Sequence, residues 1–97
     1  MKVQNMTSSR GNKVANQFIL EGTFNGGQEL GMLHHSEVFQ SYNTIIAVKA
    51  TGQTILDINA WDYSVTTSKY RNQFLGESKK ETQAKIDSGE YLLADLN

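Results

Sequence analysis

Cysteine and proline are both absent from this chain of 97 residues. The lack of cysteine excludes a disulfide framework, a thiol nucleophile and a zinc site built on thiolates, and it is typical of proteins from a reducing compartment. The lack of proline leaves the turns to Gly, Asn, Asp and Ser.

Long apolar runs are missing as well. No stretch of about 18 consecutive apolar residues occurs, and the polar start, MKVQNMTSSRGNKVAN, lacks the apolar segment of a secretory signal. We therefore expect a soluble, intracellular protein with no membrane partner.

Neither sign of charge is in large excess. Nine Lys and Arg residues face ten Asp and Glu residues, and a net charge of −1 argues against DNA mimicry and against a general attraction for nucleic acid. Local patches remain, because residues 1–14 carry three basic residues and no acid, while residues 65–86 carry five basic residues and two acids. Acidic residues collect at residues 21–37 and in the C-terminal tail. The pattern indicates separate basic and acidic faces.

The length and the hydrophobic pattern predict one α+β domain over residues 14–97. Residues 1–13 are polar and show no period, so we expect a flexible N-terminal arm there. No internal repeat or low-complexity tract interrupts the domain.

Three parts of the domain have the pattern of strands. From Val14 to Phe24, apolar and polar residues alternate as in a half-buried strand. The glycine-rich segment that follows predicts a loop, after which VFQSYN resumes strand-type residues. The run TIIAVKA is typical of a central strand covered on both faces, and the turn Thr51-Gly52 predicts a β-hairpin from about 44 to 60.

After Trp61 the apolar period becomes helical. The residues at core spacing are Tyr63, Thr67, Tyr70 and Phe74. A cap at Thr66 or Thr67 begins this helix, and Gly76 ends it in a left-handed conformation. The sequence Ser78-Lys79-Lys80-Glu81 matches a capping box and predicts a second helix to about Ser88.

The tail, EYLLADLN, predicts a short last strand or an extended segment packed on the core. Together these elements predict an α+β fold. We expect an antiparallel sheet of three to five strands with two consecutive helices packed on one face.

No catalytic or metal-binding motif in the sequence is specific enough to be distinguished from a chance match. His34-His35 lacks the spacing and the third ligand of a metal site, which favours a surface pair. Asp57 and Glu77, with a lysine two residues later, resemble the metal-binding carboxylates of nucleases, but Ser78 is better explained as a helix cap and Asp57 as the polar side of a strand. We therefore expect no enzyme, no metal and no cofactor.

A nucleic-acid interface is a second possibility that the residues raise. Tyr63, Lys69, Tyr70 and Arg71 mix aromatic and basic side chains that suit stacking on single strands, and the arm adds further basic charge. The alternative is structural, with the aromatic residues in the core and the charges on the solvated face of one helix. The glycines at 26, 27 and 31 lack the Gly-Lys-Ser/Thr ending of a phosphate loop and predict a turn.

Four long stretches carry a resemblance: TSSRGNKVANQF (7–18), FQSYNTIIA (39–47), WDYSVTTSKYRNQFLGE (61–77) and the tail from KKETQAKIDSGE to its end. Together they resemble a family of small uncharacterised proteins carried by bacteriophages and plasmids of Gram-positive and gut bacteria. The family has no assigned activity, so the resemblance supplies context rather than chemistry. The chain departs from the family at residues 24–36, where the resemblance implies a shorter link between strands.

The resemblance implies a small non-enzymatic accessory protein of a mobile element in the cytoplasm of a bacterial host. Such a protein binds a host macromolecule, above all a protein of a defence or nucleic-acid-processing system, as an inhibitor. The alternative is a nucleic-acid-binding module that uses the basic arm and the first helix. The candidate contact residues are Arg10, Lys13, Leu30, Met32, Lys69, Arg71, Asn72, Lys79 and Lys80.

Overall fold

A computed structural model describes residues 1–97, which form six strands and three helices. The elements are β1 (Lys2–Thr7), β2 (Lys13–Asn25), α1 (Gly27–Leu30), β3 (Met32–Ser41), β4 (Thr44–Ala50), β5 (Gln53–Asp57), α2 (Val65–Leu75), α3 (Lys79–Asp87) and β6 (Tyr91–Ala94). The α+β class is confirmed. The numbers differ from the prediction, with one strand and one short helix more than expected.

The six strands form one sheet in the order of the chain, β1-β2-β3-β4-β5-β6. Neighbouring strands from β1 to β5 are antiparallel, as short turns require. β6 pairs with β5 in parallel, because α2 and α3 carry the chain back to the start of β5 before β6 begins. The sheet is therefore mixed rather than purely antiparallel.

The segment predicted as a flexible arm contains the extra strand, β1. It pairs with β2 in a register that includes Lys2 opposite Glu21, and the Asn5 side chain donates to the Val14 carbonyl at 3.0 Å. Met6 is buried in the core. Because Met6 is its only buried side chain, this edge strand shows no alternation of apolar and polar residues in the sequence. The presence of β1 corrects the prediction of a flexible arm over residues 1–13.

The segment predicted as a glycine-rich loop is also more ordered than expected. It contains α1 and the first half of β3, which begins at Met32. The β2–β3 pairing shifts register between Gly22 and Phe24, and His35 has a positive φ of 56°. Such a bulge breaks the alternation by which strands are recognised in a sequence.

The sheet is buried on both faces. On one face, α2 and α3 cover a core cluster of Met6, Phe39, Ile46, Ala47, Leu56, Ala60, Tyr70, Phe74 and Tyr91. On the other face, Leu33, Val38, Val48, Ile55 and Leu96 form a second cluster, against which Leu30 of α1 also packs. The helices are thus not confined to one face, although the double burial of β4 agrees with the prediction of a central strand.

The helix ends are set by local hydrogen bonds. The Ser64 hydroxyl, rather than Thr66 or Thr67, accepts from the Thr67 N–H at 3.1 Å and caps α2. Gly76 ends α2 with φ 70° and ψ 33°, as predicted. The predicted capping box is confirmed, since Ser78 Oγ accepts from the Glu81 N–H and a Glu81 carboxylate oxygen accepts from the Ser78 N–H.

Candidate functional site

The predicted contact residues lie in three separate places. Arg10 and Lys13 are exposed at the turn between β1 and β2, whereas Met32 pairs with Asn25 at the far end of the 13-residue β2. Met32 is 56% exposed, but Leu30 is half-buried against the second core. These two ends of the sheet cannot form one contact surface.

Some of the remaining residues meet at an open groove on the helices, which we call the helix groove. It has a volume of about 650 Å³ and is lined by Asp62, Tyr63, Ser64, Val65, Ser68, Lys69, Asn72 and Lys79. Three of the predicted contact residues, Lys69, Asn72 and Lys79, are therefore brought together. Lys80 lies beside them, in a second open depression along α3 that Lys79 also lines.

Two apolar side chains stand at the mouth of the helix groove. Val65, the first residue of α2, is 88% exposed, and Tyr63 is 50% exposed. The prediction of Tyr63 as a core residue is wrong, because it precedes the Ser64 cap and so does not share the buried face of the helix. Thr67, Tyr70 and Phe74 are buried as predicted.

Arg71 was expected on the outward face but is fully buried. One terminal nitrogen, Nη1, donates to the Trp61 carbonyl at 2.6 Å and lies 3.3 Å from Asp62 Oδ1. The other, Nη2, donates to Asn72 Oδ1 at 2.8 Å. Arg71 follows Thr67 by one helical turn, so its position in the period already indicated the inner face. Through these bonds and a contact of 3.4 Å with Ser68 Oγ, the buried Arg71 supports three residues that line the groove.

Asp62 carries the negative charge of the helix groove. Its carboxylate accepts a hydrogen bond from Lys79 Nζ at 2.7 Å and from Ser68 Oγ at 3.2 Å. The Lys79 contact holds the pKa of Asp62 below its usual range; burial opposes this, and Ser68 and Arg71 add to it. Asp62 and Lys79 are consequently engaged with each other, and Lys69 supplies the groove's unshared positive charge.

Glu77, a candidate nuclease residue, lies in a closed network between α3 and β6. Its buried carboxylate accepts from Thr82 Oγ1 at 2.6 Å, from the Tyr91 hydroxyl at 2.7 Å and from Lys85 Nζ at 2.8 Å. Burial acts to raise the pKa of Glu77, but the hydrogen bonds from Lys85, Thr82 and Tyr91 outweigh it and the pKa is lowered. Burial and the adjacent carboxylate raise the pKa of Tyr91.

Asp57, the other candidate nuclease residue, also stabilises the fold through hydrogen bonds. Its two carboxylate oxygens accept from the N–H groups of Leu96 at 2.8 Å and Asn59 at 3.1 Å. These bonds close the turn after β5 and hold the C-terminal tail on the second core. The two carboxylates thus belong to different structural networks, and their arrangement offers no open pair to a metal ion.

The histidine pair lies at the surface. His34 Nδ1 is 3.1 Å from Thr23 Oγ1 across the β2–β3 pair, and His35 is exposed at the bulge. No group of three or more His, Cys, Asp or Glu side chains is arranged to hold a metal ion. No helix has the length and hydropathy that crossing a membrane requires.

A buried polar cluster under α2 was not anticipated from the sequence. The Ser41 and Thr67 hydroxyls are 3.0 Å apart in the interior, and Gln17 pairs with Ser41 across β2 and β3. The Gln17 side chain is buried, and neither its amide nitrogen nor its amide oxygen has a hydrogen-bond partner. In the sequence, Gln17 alternates with Phe18 and was assigned to the polar side of β2. In the structure, α2 covers this side of the strand.

Comparison with known proteins gives one finding. Neither the curated proteins nor the solved structures contain a match to the chain. A family model described as a family of unknown function (DUF8033) matches residues 1–90, which is nearly the whole chain. The chain therefore belongs to this family of unknown function, DUF8033.

Proposed function

We propose that this protein is a non-enzymatic accessory protein that binds a host protein through the helix groove. The observation that carries the proposal is the meeting of Tyr63, Val65 and Lys69 at one open groove. Tyrosine is enriched among the residues that anchor protein interfaces. Beside it, Val65 adds exposed apolar surface and Lys69 adds a positive charge.

The exposure of Val65 supports a contact role. At 88% exposed, its side chain does little for the core, and a β-branched residue is not favoured in a helix. Tyr63 stands next to it with half of its surface exposed. A partner that covered both side chains would gain apolar burial. Val65 is held in the first turn of α2, and Tyr63 lies directly before the Ser64 cap of that helix.

The charges of the helix groove favour an acidic partner surface. Lys79 is shared with Asp62, whereas Lys69 forms no ion pair and lies 5.5 Å from the Tyr70 ring. Its ammonium group is available to a carboxylate of the partner. Lys80, next to the groove, adds a further positive charge.

The biological setting rests on the resemblance of the sequence to small proteins of phages and plasmids. A mobile-element protein that acts in the cytoplasm of a bacterial host meets defence and nucleic-acid-processing proteins there. We propose that the partner is one of these proteins and that binding inhibits it. The networks around Asp57 and Glu77 support a role in binding rather than catalysis, because each carboxylate serves the fold.

The test is affinity capture from a host lysate with three forms of the protein. The wild type is compared with a groove variant that combines Val65→Asp and Lys69→Glu, and with Lys2→Glu, a matched charge reversal on β1. We expect one protein to be retained in stoichiometric amount by the wild type and by Lys2→Glu and to be lost with the groove variant. Equal retention by all three forms would contradict the assignment to the groove.

A nucleic-acid-binding role is the second candidate, and one contact favours it. Gln73 Nε2 donates to the Thr7 carbonyl at 2.8 Å, which fastens the β1–β2 turn to the outer side of α2. Gln73 follows Lys69 by one helical turn, so the basic residues Arg10 and Lys13 of the turn border the same side of the molecule as Lys69.

This second candidate predicts binding that weakens steeply as salt is raised, because phosphate contacts release counterions. The combined change Arg10→Glu and Lys13→Glu should abolish binding to single-stranded oligonucleotides at low salt. If the wild type does not shift DNA or RNA at low salt, the second candidate is contradicted and the protein-binding proposal is unaffected.

A further inference from the structure

The outer edge of β6 has no strand beside it. β6 is the last strand in the sheet order, and β5 is its single neighbour. The Ile58 N–H donates to the Ala94 carbonyl at 2.9 Å, so Ala94 faces β5. Because backbone groups alternate in direction along a strand, the N–H and C=O of Leu93 face away from the sheet.

Apolar side chains flank this edge on both faces of the sheet. Leu92 and Leu93 are adjacent in β6, so they point to opposite faces, and each is about 40% exposed. Ile58, which bonds to β6 through its N–H, is also exposed. An added strand would cover Leu92 on one face and Leu93 on the other.

The ends of β6 are acidic. Glu90 precedes the strand and Asp95 follows it, and both are exposed. Lys85 lies 3.9 Å from Glu90 but makes its short contact, 2.8 Å, with Glu77. Asp95 Oδ1 accepts from the Asn97 N–H at 3.0 Å. Both carboxylates remain exposed beside these contacts and can attract positive charge.

We propose that β6 accepts an extended segment of a partner protein that carries basic residues and pairs as a seventh strand. Main-chain hydrogen bonds to Leu93 would supply the pairing, and Glu90 and Asp95 would select lysine or arginine near its ends. A second copy of this chain fits less well, because full antiparallel pairing of two β6 strands places Glu90 opposite Asp95. This edge site is separate from the helix groove and does not depend on it.

The test uses the isotope-labelled full chain and two synthetic peptides. One peptide alternates lysine and leucine, and the matched peptide has glutamate in place of lysine. We expect the basic peptide to shift the amide NMR signals of Tyr91, Leu93 and Asp95 and to slow the hydrogen exchange of the Leu93 amide. Signals of the helix groove, read at Lys69, should not move, and the acidic peptide should have no effect.

Charge variants make the test specific. The combined change Glu90→Lys and Asp95→Lys should weaken binding of the basic peptide roughly tenfold, as two exposed ion pairs are lost. The same variant should now bind the acidic peptide. Glu29→Lys, an acid on α1 away from β6, is the control and should leave both affinities unchanged.

Three results would overturn the proposal. The basic peptide leaves the β6 signals unmoved, or the two peptides bind equally well. Alternatively, the Leu93 amide is already protected in a dimer that forms as the protein concentration is raised, which would assign the edge to a second copy.

Discussion

Arg71 shows how a charged residue can shape a surface without being part of it. From inside α2 it binds the Trp61 carbonyl, Asp62 and Asn72, and thereby holds together the loop before α2 and the helix itself. A buried guanidinium is tolerated only with partners of this kind. The charge of Arg71 suggested an outward position, but its helical spacing from Thr67 and Phe74 was the more informative signal.

At Gln17 we predict that Gln17→Leu leaves the free energy of unfolding unchanged or raises it by up to about 1 kcal/mol, because a buried amide without partners gains nothing from its polarity. Thermal or denaturant unfolding measures the change. Ser41→Ala, which removes the bond to Thr67, is the comparison and should lower stability by about 1 kcal/mol. A loss of more than about 2 kcal/mol in Gln17→Leu would show that the amide is hydrogen-bonded.

At Glu77 we predict an acid-sensitive contribution to stability. Because the folded pKa of Glu77 lies below its ordinary value of 4.5, the unfolded chain binds a proton more readily as the pH falls. The contribution is complete at neutral pH and is lost as the pH falls through 4.5 towards the lower folded pKa. Glu77→Gln should lower stability at pH 7 by about 2 kcal/mol and reduce its dependence on pH in the acid range.

The control for this prediction is Glu90→Gln. Glu90 is exposed and lies 3.9 Å from Lys85, so its loss should change stability by less than about 0.5 kcal/mol. Unfolding curves recorded across the acid range compare the two variants with the wild type. Identical curves for Glu77→Gln and Glu90→Gln would refute the role assigned to the Glu77 network.

Among the elements, the connection between α2 and α3 decides where the helix groove lies. The N–H groups of Gly76 and Glu77 both donate to the Asn72 carbonyl, and the Ser78 capping box starts the next helix at once. This tight turn places Lys79 against Asp62. The Gly76 C-cap and the Ser78 capping box were predictable because they depend on neighbours in the sequence, although the N-cap of α2 lies at Ser64 rather than at Thr66 or Thr67. By contrast, β1 and the parallel pairing of β6 depend on distant partners.

At Gly76 we predict that Gly76→Ala costs about 1 kcal/mol, because alanine is strained at φ 70°. A Cβ there meets no atom within 4 Å, so crowding contributes nothing. Gly76→Asn should cost less, since asparagine tolerates the left-handed conformation. Denaturant unfolding ranks the two variants, and an equal or larger loss in Gly76→Asn would argue against backbone strain as the cause.

On the scale of the whole molecule, charge of one sign collects at two places. Lys69, Lys79 and Lys80 border α2 and the start of α3, and Glu90 and Asp95 border the edge of β6. The remaining charges are mixed, since Lys2, Lys49 and Lys85 each lie beside an acidic residue. The sequence predicted the α+β class, the β4–β5 hairpin and both long helices from local signals. It did not predict the edge strand β1, whose polar side chains hide its pairing, or the place of Tyr63 at the groove.

The most direct measurement of the central claim is site-specific photo-cross-linking in host cells. Tyr63 in the helix groove and Tyr42 at the β3–β4 turn are equally exposed tyrosines, at 50% and 54%, and form a matched pair. Each is replaced in turn by benzoylphenylalanine. We predict a discrete adduct with one host protein from Tyr63→benzoylphenylalanine and none from Tyr42→benzoylphenylalanine. An adduct from position 42 alone, or none from position 63, would contradict the helix groove as the binding surface.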